Sequence, residues 1–324
     1  MNLLEQQEAN RRRTWLVMVL FVFFLAILGA GFDIFIVGQA HTFFPVATSA
    51  AVLIGTGSAW LTYLHGDKAI LASSHAMPLA ERMSELIPGD DMRYQQLQNV
   101  VEEVSIAAGL PVPAIYIIAD DDPNAFATGR SPERASLAVT EGLLRRLNRE
   151  ELQGVVAHEL GHIRNLDIRL LMIVSALVGA VVLLASWSSR SIRFGGRGRG
   201  KSGGIAILVL LAIWLVAAIL APIAARLMAM AISRQREYLA DATSAELTRN
   251  PLALASALRK IEDDVAPTAS IQKGAAALCI ADPTGASLNE RSGKWADLWA
   301  THPPMSKRIA ALDAMAYQGQ GPAA

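Results

Sequence analysis

The chain is nearly without cysteine and without any surplus of charge, and each shortage removes a class of function. Cys279 is the only cysteine among 324 residues. No intramolecular disulfide can form, and a thiol far from any histidine cluster reads as packing rather than as a nucleophile. A reducing compartment fits this usage. The 29 basic and 29 acidic residues cancel, so a nucleic-acid partner has no electrostatic support. What the chain has in excess is apolar length. Hydrophobic residues make up 52% of it, its mean hydropathy is +0.33, and the surplus is gathered in blocks. That pattern favours a membrane protein over a soluble globule with a large core.

The blocks are Trp15 to Phe32, Phe43 to Leu64, Leu170 to Trp187 and Ile205 to roughly Ile232. The first two approach the roughly 20 residues that a spanning helix needs. Only Gly38 to Thr42 separates them, which predicts an uncleaved helical hairpin over residues 1–65. Arg11, Arg12 and Arg13 place the amino terminus on the cytoplasmic side, and two crossings return the chain there at His65. The second pair, within residues 170–232, encloses a loop from Arg190 to Gly204 with Arg190, Arg193, Arg197, Arg199 and Lys201. If both members cross, that loop lies outside, against the positive-inside rule. A hairpin that enters without crossing, or strongly tilted helices, removes the conflict. Two to four membrane helices are therefore expected, with the lipid bilayer as a partner.

Between the blocks lie two further pieces, residues 66–169 and 233–324. Met92 to Ala108 carries apolar residues at helical spacing and ends before Gly109 and Pro111. Ala114 to Ala119, Asn124 to Gly129 and Ser136 to Thr140 read as short strands, with Asp120, Asp121 and Asp122 as a solvated turn. Asn148 is a good N-cap for the next helix, and Glu150 and Glu151 complement its positive end.

That helix carries His158, Glu159 and His162, an H-E-x-x-H motif. Histidines four apart on a helix share a face and can grip one Zn²⁺ ion, while Glu159 beside them can act as a base on water. After the second apolar pair comes Ser233-Arg-Gln-Arg-Glu-Tyr-Leu-Ala-Asp-Ala242. A helical reading sets Glu237 and Asp241 one turn apart. Glu237 can supply a third ligand, and Asp241 can hold a ligand imidazole by its other nitrogen. Arg234 and Arg236 read as structural partners of the acidic helix. His302 and Arg308, in and after Thr301-His-Pro-Pro304, are candidates to stabilise an oxyanion or, equally, loop packing. His41, His65 and His75 lack a paired partner and read as surface residues.

In combination and order, the first hairpin, NAFATG, HELGHI, the apolar pair, SRQREYLADA and THPP with Arg308-Ile309 resemble the HtpX-type membrane zinc metalloproteases, relatives of the CAAX prenyl endopeptidases. The resemblance spans nearly the whole chain, with Lys273 to Trp299 and the tail after Leu312 matching little. It implies an α+β, gluzincin-like fold, mostly helical with a small antiparallel or mixed sheet. It also implies one zinc per chain on His158, His162 and Glu237, with Glu159 as the base. The stretch matching NAFATG is implied to be an edge strand, so Asn124, Ala125, Phe126 and Ala127 are candidates to pair with an extended substrate. The implied activity is membrane-bound endopeptidase cleavage of membrane proteins or unfolded polypeptides, in quality control at a bacterial inner membrane, with the site on the cytoplasmic side. Two other readings stand beside it: a CAAX-type processing enzyme, and a non-catalytic zinc-containing membrane adaptor.

Overall fold

A computed structural model describes residues 8–23, 25–26, 46–85, 92–174, 234–263, 270–271, 278–281 and 303–319. The expected loop from Arg190 to Gly204, most of the second apolar pair, His41 and His302 lie outside the described residues. The architecture is mostly helical around a small mixed sheet, so the α+β expectation holds at that level. The chain opens with a helical stretch over residues 8–23 and 25–26. It continues with α1 (Val46–Ser73), β1 (Met77–Pro78), α2 (Leu79–Ser84), α3 (Met92–Ala108) and β2 (Ala114–Ile118). There follow β3 (Ala125–Gly129), β4 (Ala135–Thr140), α4 (Glu141–Arg146), α5 (Arg149–Arg164), α6 (Arg234–Thr248), α7 (Pro251–Glu262) and α8 (Met305–Gly319).

The sheet order is β1-β2-β4-β3. β2 runs parallel to β4, while β1 and β3 pair antiparallel with their neighbours, Ala127 facing Leu137 across the β3–β4 ladder. Among the described residues β3 is thus the last strand of the sheet. Between β2 and β4 the chain uses the acidic turn, which is less solvated than its three carboxylates suggest. Asp120 accepts bonds from the Asp122 and Ser270 amides. Asp121 is exposed and pairs with Arg145, whereas Asp122 is buried. The carbonyl of Asp121 also passes so near Gly142 that a Cβ there would meet it at 2.0 Å, which excludes any side chain at that position.

α3 forms where Leu97, Val100, Val101 and Val104 recur at helical spacing, and that face is buried against the rest of the core. Gly109 ends the helix in a left-handed conformation, φ 65°. The same core takes Leu152, Val155, Val156 and Leu160 from α5, Leu254 and Leu258 from α7, and Ile309 and Leu312 from α8. The two pieces that the apolar pair separates in sequence therefore share one hydrophobic interior.

α1 differs from its expectation. It runs to Ser73, past the expected end at Leu64, taking in Asp67 and Lys68. Among the described residues no helix is long and apolar enough to cross a membrane. His65 and His75 are exposed, as surface residues should be. The buried Cys279 packs in the second apolar cluster with Ile118, Phe126 and Ala138.

Candidate metal centre

α5 starts from a capping box. The Asn148 side chain accepts from the Glu151 amide at 2.9 Å, and the Glu151 carboxylate accepts from the Asn148 amide at 2.9 Å. Lys260 and Ser256 of α7 hold the same carboxylate at 2.7 Å each. Farther along, two glycines let neighbouring helices come close. A Cβ on Gly154 would lie 2.9 Å from the Leu254 amide nitrogen of α7, and one on Gly161 would lie 3.3 Å from Thr243 of α6. Gly161 stands inside the H-E-x-x-H motif, so the approach of α6 is set at the site itself. Ser244 ties the two helices by donating to the Gly154 carbonyl at 2.7 Å.

That approach brings Glu237 to the two imidazoles. His158 Nε2 lies 3.2 Å from His162 Nε2, His162 Nε2 lies 3.5 Å from Glu237 Oε1, and His158 Nε2 lies 3.7 Å from Glu237 Oε2. All three side chains are buried, and they are the grouping of ligand-type side chains among the described residues with metal-binding separations. The rings stand edge to face, 89° apart.

Each ring is fixed from behind. His158 Nδ1 donates to Asp241 Oδ1 at 2.9 Å, and His162 Nδ1 donates to Asp167 Oδ2 at 3.1 Å. A proton on Nδ1 leaves the lone pair on Nε2, the tautomer a metal needs. Asp241 is gripped in turn by Arg308, with Nε on Oδ2 at 2.9 Å and Nη2 on Oδ1 at 2.7 Å. Arg308 Nη1 reaches the Ile280 carbonyl at 3.3 Å and stands 3.4 Å from Glu237 Oε2. The guanidinium suggested as an oxyanion helper is thus fully buried and committed to carboxylates beside the ligands. Asp167 went unseen in the sequence because it lies beyond the helix that carries the motif.

Burial and neighbours set the charges. Burial, with Arg308 next, lowers the affinity of His158 for a proton. Burial also opposes protonation of His162, but the Asp167 hydrogen bond and the Glu237 charge outweigh it and raise that ring to about 9. Asp241 sits at about 2, its burial overcome by Arg308 and His158. Burial pushes Glu159 up to about 8, against the pull of His162 and with the repulsion of Glu237. A cation among the ligands would act against both upward shifts, by attracting the Glu159 carboxylate and repelling a charged His162 ring. Glu159 is wholly buried and its Oε2 has no hydrogen-bond partner among the described residues.

The edge of β3 meets this base. The Ala127 amide donates to the Glu159 carboxylate. One residue pair earlier, a short stretch of chain lies on the same edge. Ile280 donates to the Ala125 carbonyl at 2.9 Å, Cys279 bridges antiparallel to Phe126, and the Asn124 side-chain amide donates to the Ala281 carbonyl at 3.1 Å. Of the four candidate substrate residues, Asn124, Ala125 and Phe126 contact that stretch, and Ala127 faces the base.

Residues 91–316 match the description of peptidase family M48. A protease HtpX homolog of Streptococcus gordonii is 38% identical over 318 residues, 97% of this chain and 100% of that protein. A protease HtpX homolog of Thermoanaerobacter pseudethanolicus is 42% identical over 316 residues, 97% of this chain and 98% of that protein. The crystal structure of S. mikatae Ste24p superposes with a TM-score of 0.46 at 17% identity, covering 93% of this chain and 66% of that one.

Proposed function

This chain belongs to peptidase family M48 and is a metalloprotease, and from that premise we propose that it is a zinc-dependent endopeptidase held at a membrane. Its substrates, on this reading, are extended segments of membrane or unfolded proteins. The observation that carries the zinc assignment is the spacing of the three buried ligand atoms, 3.2, 3.5 and 3.7 Å apart. A tetrahedral ion with bonds near 2.0–2.1 Å holds its ligands about 3.3 Å from one another, so the side chains fit zinc as they stand. Two imidazoles and one carboxylate are also a donor set that leaves a fourth position open. When bound, zinc supplies an acidified water and polarises the scissile carbonyl.

The remaining steps belong to the protein. Glu159 takes a proton from the attacking water and delivers it to the leaving amine. Burial favours the neutral carboxyl, which suits delivery to the amine, while a cation on the ligands would favour the carboxylate that accepts the proton from water, and the site is buried from bulk water. Asp241 and Asp167 keep the ligand rings from rotating as charge develops. An extended peptide added along β3 beyond Phe126 would run past Ala127 and bring its carbonyl toward Glu159. Recognition through main-chain bonds reads little of the substrate's side chains, which suits unfolded polypeptides and a quality-control role.

The membrane reading rests on the surface of the first two helices. Trp15, Leu16, Val19, Leu20 and Phe23 of the opening stretch are exposed, as are Leu53, Ile54, Trp60 and Leu61 of α1. An apolar surface of that extent, with Trp15 and Trp60 both stacked on Tyr63, fits contact with lipid. The arginine triplet supports a cytoplasmic amino terminus and a cytoplasmic site. The test is Glu159→Gln, assayed on casein with zinc and with chelator. The variant is expected to retain zinc while cleavage falls about 10²–10⁴-fold. Full cleavage by the variant, or cleavage by the parent that survives complete zinc removal, contradicts the proposal.

A further inference from the structure

The hydrogen bonds behind His162 reach back across the chain to residue 10. α5 ends at Arg164, Asn165 caps it, and Leu166 then takes φ 59°. A left-handed conformation is unfavourable for a leucine. The turn it makes brings Asp167 back beneath the helix, with Oδ2 on His162 Nδ1 at 3.1 Å. The other oxygen of Asp167 accepts from Asn10 Nδ2 at 2.6 Å, and the same amide donates to the Asn165 carbonyl at 2.9 Å. Asn10, Asn165 and Asp167 are each at most 2% exposed. An amide in the opening helix is therefore sealed inside the protein, one residue removed from a metal ligand.

Two features show that this place is retained at a cost. Asn10 Oδ1 has no partner among the described residues, and a buried unpaired acceptor is unfavourable. The strained Leu166 is the second, and strain that persists beside a site is usually tied to what the site does. Arg236 does not replace Asn10. Its Nε stands 3.4 Å from the Asp167 oxygen that Asn10 holds at 2.6 Å, and neither of its Nη atoms has a partner among the described residues. The guanidinium supplies charge, whereas the amide supplies direction.

We propose that Asn10 is a positioning residue of the metal centre. It fixes Asp167, Asp167 fixes the ring and tautomer of His162, and the seating of the opening helix thereby becomes part of the ligand geometry. The helix carries exposed apolar residues from Trp15 onward, so the same helix that faces lipid also completes the site. This inference rests on the zinc reading above. It predicts that metal affinity depends on a residue about 150 positions away in sequence, through two hydrogen bonds and no contact with the ion.

The experiment uses the full chain in detergent, in a Glu159→Gln background that prevents self-cleavage. Zinc affinity is measured by competition with a chelator, and Co²⁺ absorption reports the ligand geometry. Asn10→Leu is expected to weaken zinc about tenfold, the lower end of what loss of an outer partner of a ligand costs, and to alter the Co²⁺ bands. Thr14→Val is the companion variant. Thr14 is buried one turn along the same helix and bonds only the Asn10 carbonyl among the contacts described, so its loss removes a buried polar group of that helix and leaves the Asn10 amide in place. Zinc affinity in Thr14→Val is expected to stay within about twofold of the parent. The inference is overturned if Asn10→Leu binds zinc as the parent does, or if Thr14→Val loses as much as Asn10→Leu. A parent that binds no zinc refutes the metal reading itself, and this inference with it.

Discussion

The two imidazoles of the site look alike from the metal side and differ behind it. Each gives its Nδ1 proton to a buried aspartate, yet the aspartates are held in opposite ways. Asp241 receives two charge-assisted bonds from Arg308, at 2.7 and 2.9 Å. Asp167 receives a neutral amide at 2.6 Å and a guanidinium no nearer than 3.4 Å. The protonation of the rings differs too: burial and then Arg308 oppose a proton on His158, while Asp167 and Glu237 outweigh burial and raise His162 to about 9. One side of the centre is closed by direct bonds from a guanidinium, and on the other the guanidinium stands 3.4 Å off. The closed side is anchored to α8 and the looser side to the opening helical stretch, so residues far apart in the sequence hold the two ligands.

Breaking the closed side has the largest expected effect. Arg308→Met leaves Asp241 and Glu237 buried without their cation, and loss of one member of a buried pair costs roughly 3–5 kcal/mol. Denaturant unfolding of the Glu159→Gln chain reads this directly. The matching change on the other side, Arg236→Met, is expected to cost no more than about 1 kcal/mol, since Asn10 and His162 still satisfy Asp167 and two unpartnered Nη atoms leave the interior. Equal losses in the two variants remove the contrast. The positioning effect of Asn10 on zinc falls between them.

The smallest effect lies at the far end of α5 and serves as a control on both sides. Glu151 is buried, and although burial alone would raise its carboxyl, Lys260, the Asn148 amide and Ser256 hold it below the usual range. A depressed carboxyl contributes stability above its unfolded value of about 4.5 and loses it as pH falls through that value toward the folded one. Glu151→Gln keeps a capping side chain but removes the charge. Stability at neutral pH should drop by less than about 1 kcal/mol, because Lys260 is partly exposed, and the drop should shrink as pH falls through the lowered range of the Glu151 carboxyl. Zinc affinity should not change. A loss that persists at low pH would show that the charge is not its source.

The contrast also explains what could be seen in the sequence. His158, His162, Glu237 and Asp241 stand at helical spacing within their own segments, and the N-cap at Asn148 marks where their helix begins, so local periodicity is enough to find them. Nothing periodic points to Asp167, because its position depends on a left-handed turn at a leucine, where no glycine advertises it. Asn10 reads as the polar flank of an apolar run, and its partner lies 157 positions away. Arg308 was noticeable, but its task was not, since which carboxylate a guanidinium meets is decided by how α8 packs on α6. The strand ending at Gly129 was legible in its residues, whereas its place at the sheet edge came from the family resemblance. That the stretch from Leu278 to Ala281 shares that edge was not, for an extended contact of four residues leaves no pattern.

X-ray absorption at the zinc edge of the full-length Glu159→Gln protein tests the central claim most directly. One zinc per chain is expected, with nitrogen and oxygen neighbours near 2.0–2.1 Å and the outer-shell pattern of two imidazoles. A sulfur neighbour near 2.3 Å, which only Cys279 or a methionine could supply, or the signature of a single imidazole, would contradict it.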